Sequence, residues 1–151
     1  MDANVLLVSH GELAKSMCES LSMLVGDVGK FEYVCLDNDG VDKFRNSFRL
    51  KIDNIDNNNE VYVLCDIKGG TPFNEAFKYK LEKKADFRIL TGMNIPMLLD
   101  IYFNLDNLNA EQIISNSKES IEIIWLFLYQ YSDKSNYLTY RNSFRIIQSL
   151  N

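Results

Sequence analysis

Two short apolar runs constrain this chain more than any other feature: Val5-Leu6-Leu7-Val8 and Val61-Tyr62-Val63-Leu64-Cys65 each break off at once into polar and glycine residues. Runs of this length and sharpness read as buried strands. Between them Leu13, Met17, Leu21 and Leu24 recur at helical spacing until Gly26 stops the pattern, and Phe31 to Leu36 supplies another strand. Asp37-Asn38-Asp39-Gly40 reads as a turn. Val41, Phe44, Phe48, Ile52 and Ile55 then form a second helical stripe, closed by Asn57-Asn58-Asn59. The order to this point is β-α-β-α-β.

The pattern continues past Cys65. Thr71 before Pro72 predicts an N-cap followed by proline in the first helical position, with Phe73, Ala76, Phe77 and Leu81 as the buried stripe. Phe87 to Leu90 predicts a fourth strand, followed by helices over 96–103 and 110–118 and a further strand over 121–129. Strands alternating with helices predict an α/β fold: a doubly wound, mainly parallel sheet with helices on both faces, because parallel strands need crossover connections. With 151 residues, 46% of them hydrophobic, the chain has enough apolar material for one domain. Neither a repeat nor a linker interrupts it.

Several classes of function find no support. The net charge is −5 and the 16 basic residues are scattered, so no nucleic-acid footprint is present. Cys18, Cys35 and Cys65 form no C-x-x-C pair, and with a single histidine they make neither a disulfide framework nor a metal site. No phosphate-loop or dinucleotide fingerprint occurs, and no cofactor is expected. The longest apolar run, Ile123 to Tyr129, falls short of the roughly 20 residues that span a bilayer. With no leader pattern, the expectation is a soluble, cytoplasmic protein without direct membrane insertion.

Ligands of open α/β sheets bind beyond the carboxyl ends of the strands. Those positions hold Ser9-His10-Gly11, Asp66-Ile67-Lys68-Gly69-Gly70-Thr71-Pro72 and Thr91-Gly92-Met93-Asn94. A lone histidine is more often a surface or core residue than a reactive one, but His10 stands at a strand end. There an imidazole offers an uncharged nitrogen near neutral pH, suited to accepting a phosphoryl group. Such chemistry needs one ring nitrogen free and the other held by an acceptor, for which Asp66 is the candidate. On its own Asp66 could equally be a turn or capping aspartate. Gly69 and Gly70 would let backbone approach an anion, the N-terminus of the following helix favours negative charge, and Thr71 adds a hydroxyl. Cys65 reads as a buried, inert thiol, and Tyr79, Tyr102, Trp125 and Tyr129 as core or interface rather than a stacking platform.

Taken together, Val5-Leu6-Leu7-Val8-Ser9-His10-Gly11, Cys65-Asp66-Ile67-Lys68-Gly69-Gly70-Thr71-Pro72-Phe73-Asn74 and Thr91-Gly92-Met93-Asn94-Ile95-Pro96-Met97-Leu98 resemble the EIIA domains of mannose-family sugar phosphotransferase systems. The resemblance covers roughly residues 1 to 125. It implies a phosphotransferase relay in which His10 takes a phosphoryl group from phospho-HPr and passes it to EIIB, which phosphorylates the incoming sugar, with the membrane subunits EIIC and EIID involved only indirectly. It places Asp66 as the hydrogen-bond partner of His10 and Gly69, Gly70 and Thr71 in the phosphoryl-binding loop. It also implies a homodimer that exchanges a late antiparallel strand, for which 121–129 is the obvious segment.

Two departures stand out. Lys68 occupies a position where better-known members carry an aromatic residue, and about twenty residues follow the matched region with no fused EIIB. The expected division is an EIIA domain over 1–131 and a C-terminal extension over 132–151, with EIIB a separate polypeptide. Two alternatives share the fold: the phosphohistidine subunit that serves dihydroxyacetone kinases, which lacks the Gly-Gly-Thr-Pro-Phe-Asn segment, and a non-catalytic regulatory module. A phospho-aspartate receiver fails because Ser9-His10 stands where paired acids would hold magnesium.

Overall fold

The computed structural model describes residues 3–55 and 59–123. Its strands are β1 (Ala3–His10), β2 (Phe31–Leu36), β3 (Glu60–Cys65) and β4 (Arg88–Thr91), and its helices are α1 (Leu13–Val25), α2 (Val41–Asn54), α3 (Thr71–Lys83), α4 (Ile95–Phe103) and α5 (Ala110–Glu119). The two apolar runs lie side by side at the centre of a parallel sheet of order β2-β1-β3-β4. Leu7 is in register with Tyr33 on one side and Leu64 on the other.

Each central strand needs apolar residues on both faces because both are covered. Val5 and Leu7 of β1, with Tyr62 and Leu64 of β3, pack against Ala14, Met17, Cys18 and Leu21 of α1 and Met97, Leu98 and Ile101 of α4. Leu6, Val8, Val63 and Cys65 point the other way, into Phe44, Phe48 and Ile52 of α2 and Ala76 and Tyr79 of α3. From β1 the chain crosses outward to β2, then returns to place β3 on the opposite side. The reversal between β1 and β3 opens a crevice at their carboxyl ends.

The helical stripes shift in detail. In α3 Phe77 and Leu81 are exposed, at 45% and 63%, and the inward face is Pro72, Ala76 and Tyr79. The small Ala76 faces the apolar layer while Tyr79 turns its ring edge-on to Phe48, 5.7 Å between centroids, and gives its hydroxyl to Asp53. A tyrosine with a partner for its polar tip competes successfully for an interior site. Leu13 and Leu24, at the two ends of α1, are likewise exposed, as is Val41 at the start of α2. The N-cap of α3 is Gly70, not Thr71: the Asn74 N–H donates to the Gly70 carbonyl at 2.9 Å, which starts the helix one residue earlier and puts Pro72 in its second position. Of the expected strand over 121–129, residues 121–123 carry no regular structure and the rest lie outside the described residues, as do Trp125 and the extension over 132–151. Among the described residues no helix is long and apolar enough to cross a membrane.

Candidate functional site

Strand pairing carries β1 two residues beyond its apolar run, with Ser9 opposite Cys35 and His10 opposite Leu36, so His10 is the last residue of a strand rather than part of a loop. Immediately afterwards the chain turns sharply. Gly11 takes a left-handed conformation, φ 55°, and donates its N–H to the Leu36 carbonyl. Ser9 is fully buried; its Oγ accepts from the Ala14 N–H at 2.7 Å and donates to the Gly11 carbonyl at 3.3 Å. That serine fastens the strand end to the first turn of α1. The serine stood in the first motif, but a hydroxyl read beside a histidine gives no sign that it will serve the backbone.

Asp66 follows the last residue of β3, beside His10. One carboxylate oxygen, Oδ2, accepts both from the backbone N–H of His10 at 2.9 Å and from its ring at Nδ1, 2.8 Å away. The other, Oδ1, accepts from the Ile67 N–H at 2.8 Å. Burial by itself would raise the Asp66 carboxyl, but the donations from the His10 backbone, the His10 ring and the Ile67 backbone outweigh it and hold the group below its usual range. An ionised carboxylate at Nδ1 places the proton there and leaves Nε2 with its lone pair. The His10 side chain is 47% exposed and that of Asp66 only 12%, so the acceptor is sheltered while the imidazole meets solvent. Next to this pair Cys65 is fully buried; burial first, and the Asp66 charge second, push its thiol up to about 12. An inert thiol fits that environment.

Gly70 has a part beyond the one expected of it. A Cβ built on it would lie 2.6 Å from His10 Cε1 and 2.9 Å from Ile67 Cγ2. The imidazole therefore rests over this glycine, which serves as the seat of the ring. Gly69 turns the loop through φ 80°, and its carbonyl accepts from the Asn74 side-chain amide at 3.0 Å, tying the loop to α3. Asn74 lay inside the second motif with no assigned role. Thr71 occupies the first helical position, and the N–H groups of Thr71 and Phe73 have no acceptor within the helix. With Pro72 lacking an N–H, these donors and the helix dipole form an anion-favouring end beside His10.

The third motif follows a separate path. Gly92 and Met93 donate to the Cys65 carbonyl, Met93 is buried, and Asn94 caps α4. A cavity of about 100 Å³ lies here, lined by Thr91, Gly92, Asn94, Met97 and Ser117 among others, with neither His10 nor Asp66 in its wall. The structure thus brings His10, Asp66, Gly69, Gly70 and Thr71 together, and the third motif frames them without joining them.

Comparison with known proteins places the chain in a family. Residues 4–118 match the EIIA-man family, described as the PTS system fructose IIA component. The sorbose-specific EIIA component of Lacticaseibacillus casei is 27% identical over 113 residues, 74% of this chain and 80% of that protein. The fructose-specific EIIA component of Bacillus subtilis (strain 168) is 26% identical over 116 residues, 76% of this chain and 79% of that one. Among solved structures, the PTS IIA protein associated with the fucose utilization operon from Streptococcus pneumoniae superposes with a TM-score of 0.74 at 29% identity, covering 82% of this chain and 93% of that one. A parallel sheet with a half-exposed histidine at its central crevice, matched over nearly all its described length, identifies the chain as a member of the EIIA-man family, an EIIA component of the mannose and sorbose class of sugar phosphotransferase systems.

Proposed function

We propose that this chain is the cytoplasmic EIIA unit that accepts a phosphoryl group from phospho-HPr on Nε2 of His10 and delivers it to EIIB, with EIIC and EIID served only through EIIB. The observation that carries this reading is the bond from His10 Nδ1 to the sheltered Asp66 carboxylate, 2.8 Å long. In the first transfer Nε2 attacks phosphorus, the Nε2–P bond forms, and the bond from phosphorus to the donor breaks with its electron pair remaining on the donor. The ring becomes positively charged while keeping its Nδ1 proton, and Asp66 offsets that charge without itself taking a proton. The open end of α3 faces the incoming negative charge. Delivery to EIIB reverses these steps.

The sugar is chosen elsewhere in the system, so the sorbose and fructose of the relatives are two candidates among several. The unit spans 1–131 with 132–151 as an extension, and we take it to act as a homodimer. The deciding experiment is incubation with phosphoenolpyruvate, Enzyme I and HPr, followed by intact mass of the wild type and His10→Ala. One acid-labile phosphoryl group, gained by the wild type and absent from the variant, is the expected result. Equal labelling of the two, or none from competent phospho-HPr, would remove His10 from the mechanism.

A further inference from the structure

One cation stands beside the site in the loop that carries Gly69 and Gly70. Lys68 is exposed in the loop between β3 and α3, and among the described residues it has no ion-pair partner. Other cations of this half of the molecule are engaged: Lys15 with Glu12 at 3.9 Å, Lys43 with Asp37 and Asp39, and Arg45 with Glu75 and Asp42. Lys68 is two residues from Asp66, which holds the ring at Nδ1, and two from Gly70, over which the ring rests. Two trans-peptide steps keep its Cα within about 7.6 Å of the Gly70 Cα. A flexible four-carbon stem covers most of such a distance.

Resting on the phosphohistidine reading above, we propose that Lys68 is a phosphoryl-binding residue: its ammonium group pairs with the phosphoryl oxygens carried on His10 Nε2 and biases the exchange with HPr toward this chain. The charges around Nε2 explain why the loop needs it. Asp66 neutralises the ring but contributes nothing to the phosphoryl oxygens, and it repels them. The end of α3 supplies partial positive charge and lacks one donor because of Pro72. A mobile ammonium restores a full unit of positive charge on the solvent side and, being solvated, gives the group up readily when EIIB docks.

The test uses the full chain as wild type, Lys68→Gln and Lys68→Arg, loaded along two routes. One is exchange with phospho-HPr at known ratios of phospho-HPr to HPr, read by intact mass. The other is phosphoramidate, whose P–N bond breaks with loss of ammonia as Nε2–P forms, read by phosphorus NMR. At low salt Lys68→Gln is expected to lower the exchange equilibrium constant about fivefold while Lys68→Arg stays within about twofold, the scale of one exposed charge contact. The gap should close near 1 M salt, where screening acts over about 3 Å. On the phosphoramidate-loaded protein the pH midpoint of the phosphorus signal should rise in Lys68→Gln, because a nearby cation favours the dianion. A labelled His10 with both quantities unchanged in Lys68→Gln overturns the proposal, and so does slower exchange at an unchanged equilibrium constant, which would make Lys68 a docking residue. Labelling that survives His10→Ala overturns the phosphohistidine reading itself and takes this proposal with it.

Discussion

Helices α3 and α4 begin in nearly the same way and end up doing opposite things. Each follows a strand of the same parallel sheet, each is reached through a glycine of positive φ, Gly69 or Gly92, and each has proline in its second position. At α4 the cap is Asn94, whose side chain accepts from the Met97 N–H at 2.8 Å. That helix end is closed by its own sequence. At α3 the cap is Gly70, which has no side chain to give, and the space an asparagine would fill is taken by the His10 ring. The fold therefore forgoes a side-chain cap at the helix end beside His10, leaving donors open there, while it keeps the cap at the helix end away from the His10–Asp66 pair.

Four changes break or sharpen this contrast. The largest effect belongs to His10→Ala, which leaves the open end of α3 with nothing to serve and abolishes phosphoryl acceptance as measured by intact mass. Next is Gly70→Asn, which gives α3 the cap that α4 has. Its Cβ would fall 2.6 Å from His10 Cε1, forcing the ring off Asp66. Transfer from phospho-HPr should fall by about 100-fold in stopped-quench assays, the scale of a misplaced reacting group. A Gly70→Asn protein that transfers normally would mean the ring does not need its seat.

Asp66→Asn should slow transfer by about ten- to a hundredfold, since a neutral amide is a poorer acceptor for Nδ1–H. It also carries a pH signature. The folded Asp66 carboxyl lies below its unfolded value. Its stabilising contribution is thus complete above the ordinary carboxylate value of about 3.9 and is lost as pH falls through the folded one. Urea midpoints of wild type and Asp66→Asn should differ by a constant amount near neutrality and draw together below about pH 4. A gap that persists at low pH would assign the effect to shape instead of charge. The smallest change is Asn94→Ala, expected to cost about 1 kcal/mol of stability and to leave transfer within about twofold. A large loss of transfer there would show that the two helix ends are coupled.

Much of the fold was legible because buried parallel strands are written as unbroken apolar runs, and Val5 to Val8 and Val61 to Cys65 announce the two central ones. The pairing of His10 with Asp66 was legible for a related reason: both stand at the ends of those runs, and adjacent strand ends converge at the crevice. Less was visible in α3. Of the expected stripe Ala76 is buried, and Tyr79 lies in the core as read, but Phe77 and Leu81 are exposed, and what secures the inward tyrosine is Asp53 on α2, which receives its hydroxyl. Helical spacing alone cannot reveal a partner carried by another helix.

The amino-acid sequence by itself determined the element order, the two-faced sheet and the strand ends at which chemistry could occur, since these follow from local periodicity and from the glycines and prolines that punctuate it. Only the tertiary structure decided which oxygen holds His10, that Ser9 is consumed by the backbone, and that Gly70 lies beneath the imidazole. Those are contacts between residues as far apart as His10 and Gly70 in the chain. Their geometry depends on strand register and helix approach, which are set by how the whole core packs and not by any short stretch of residues.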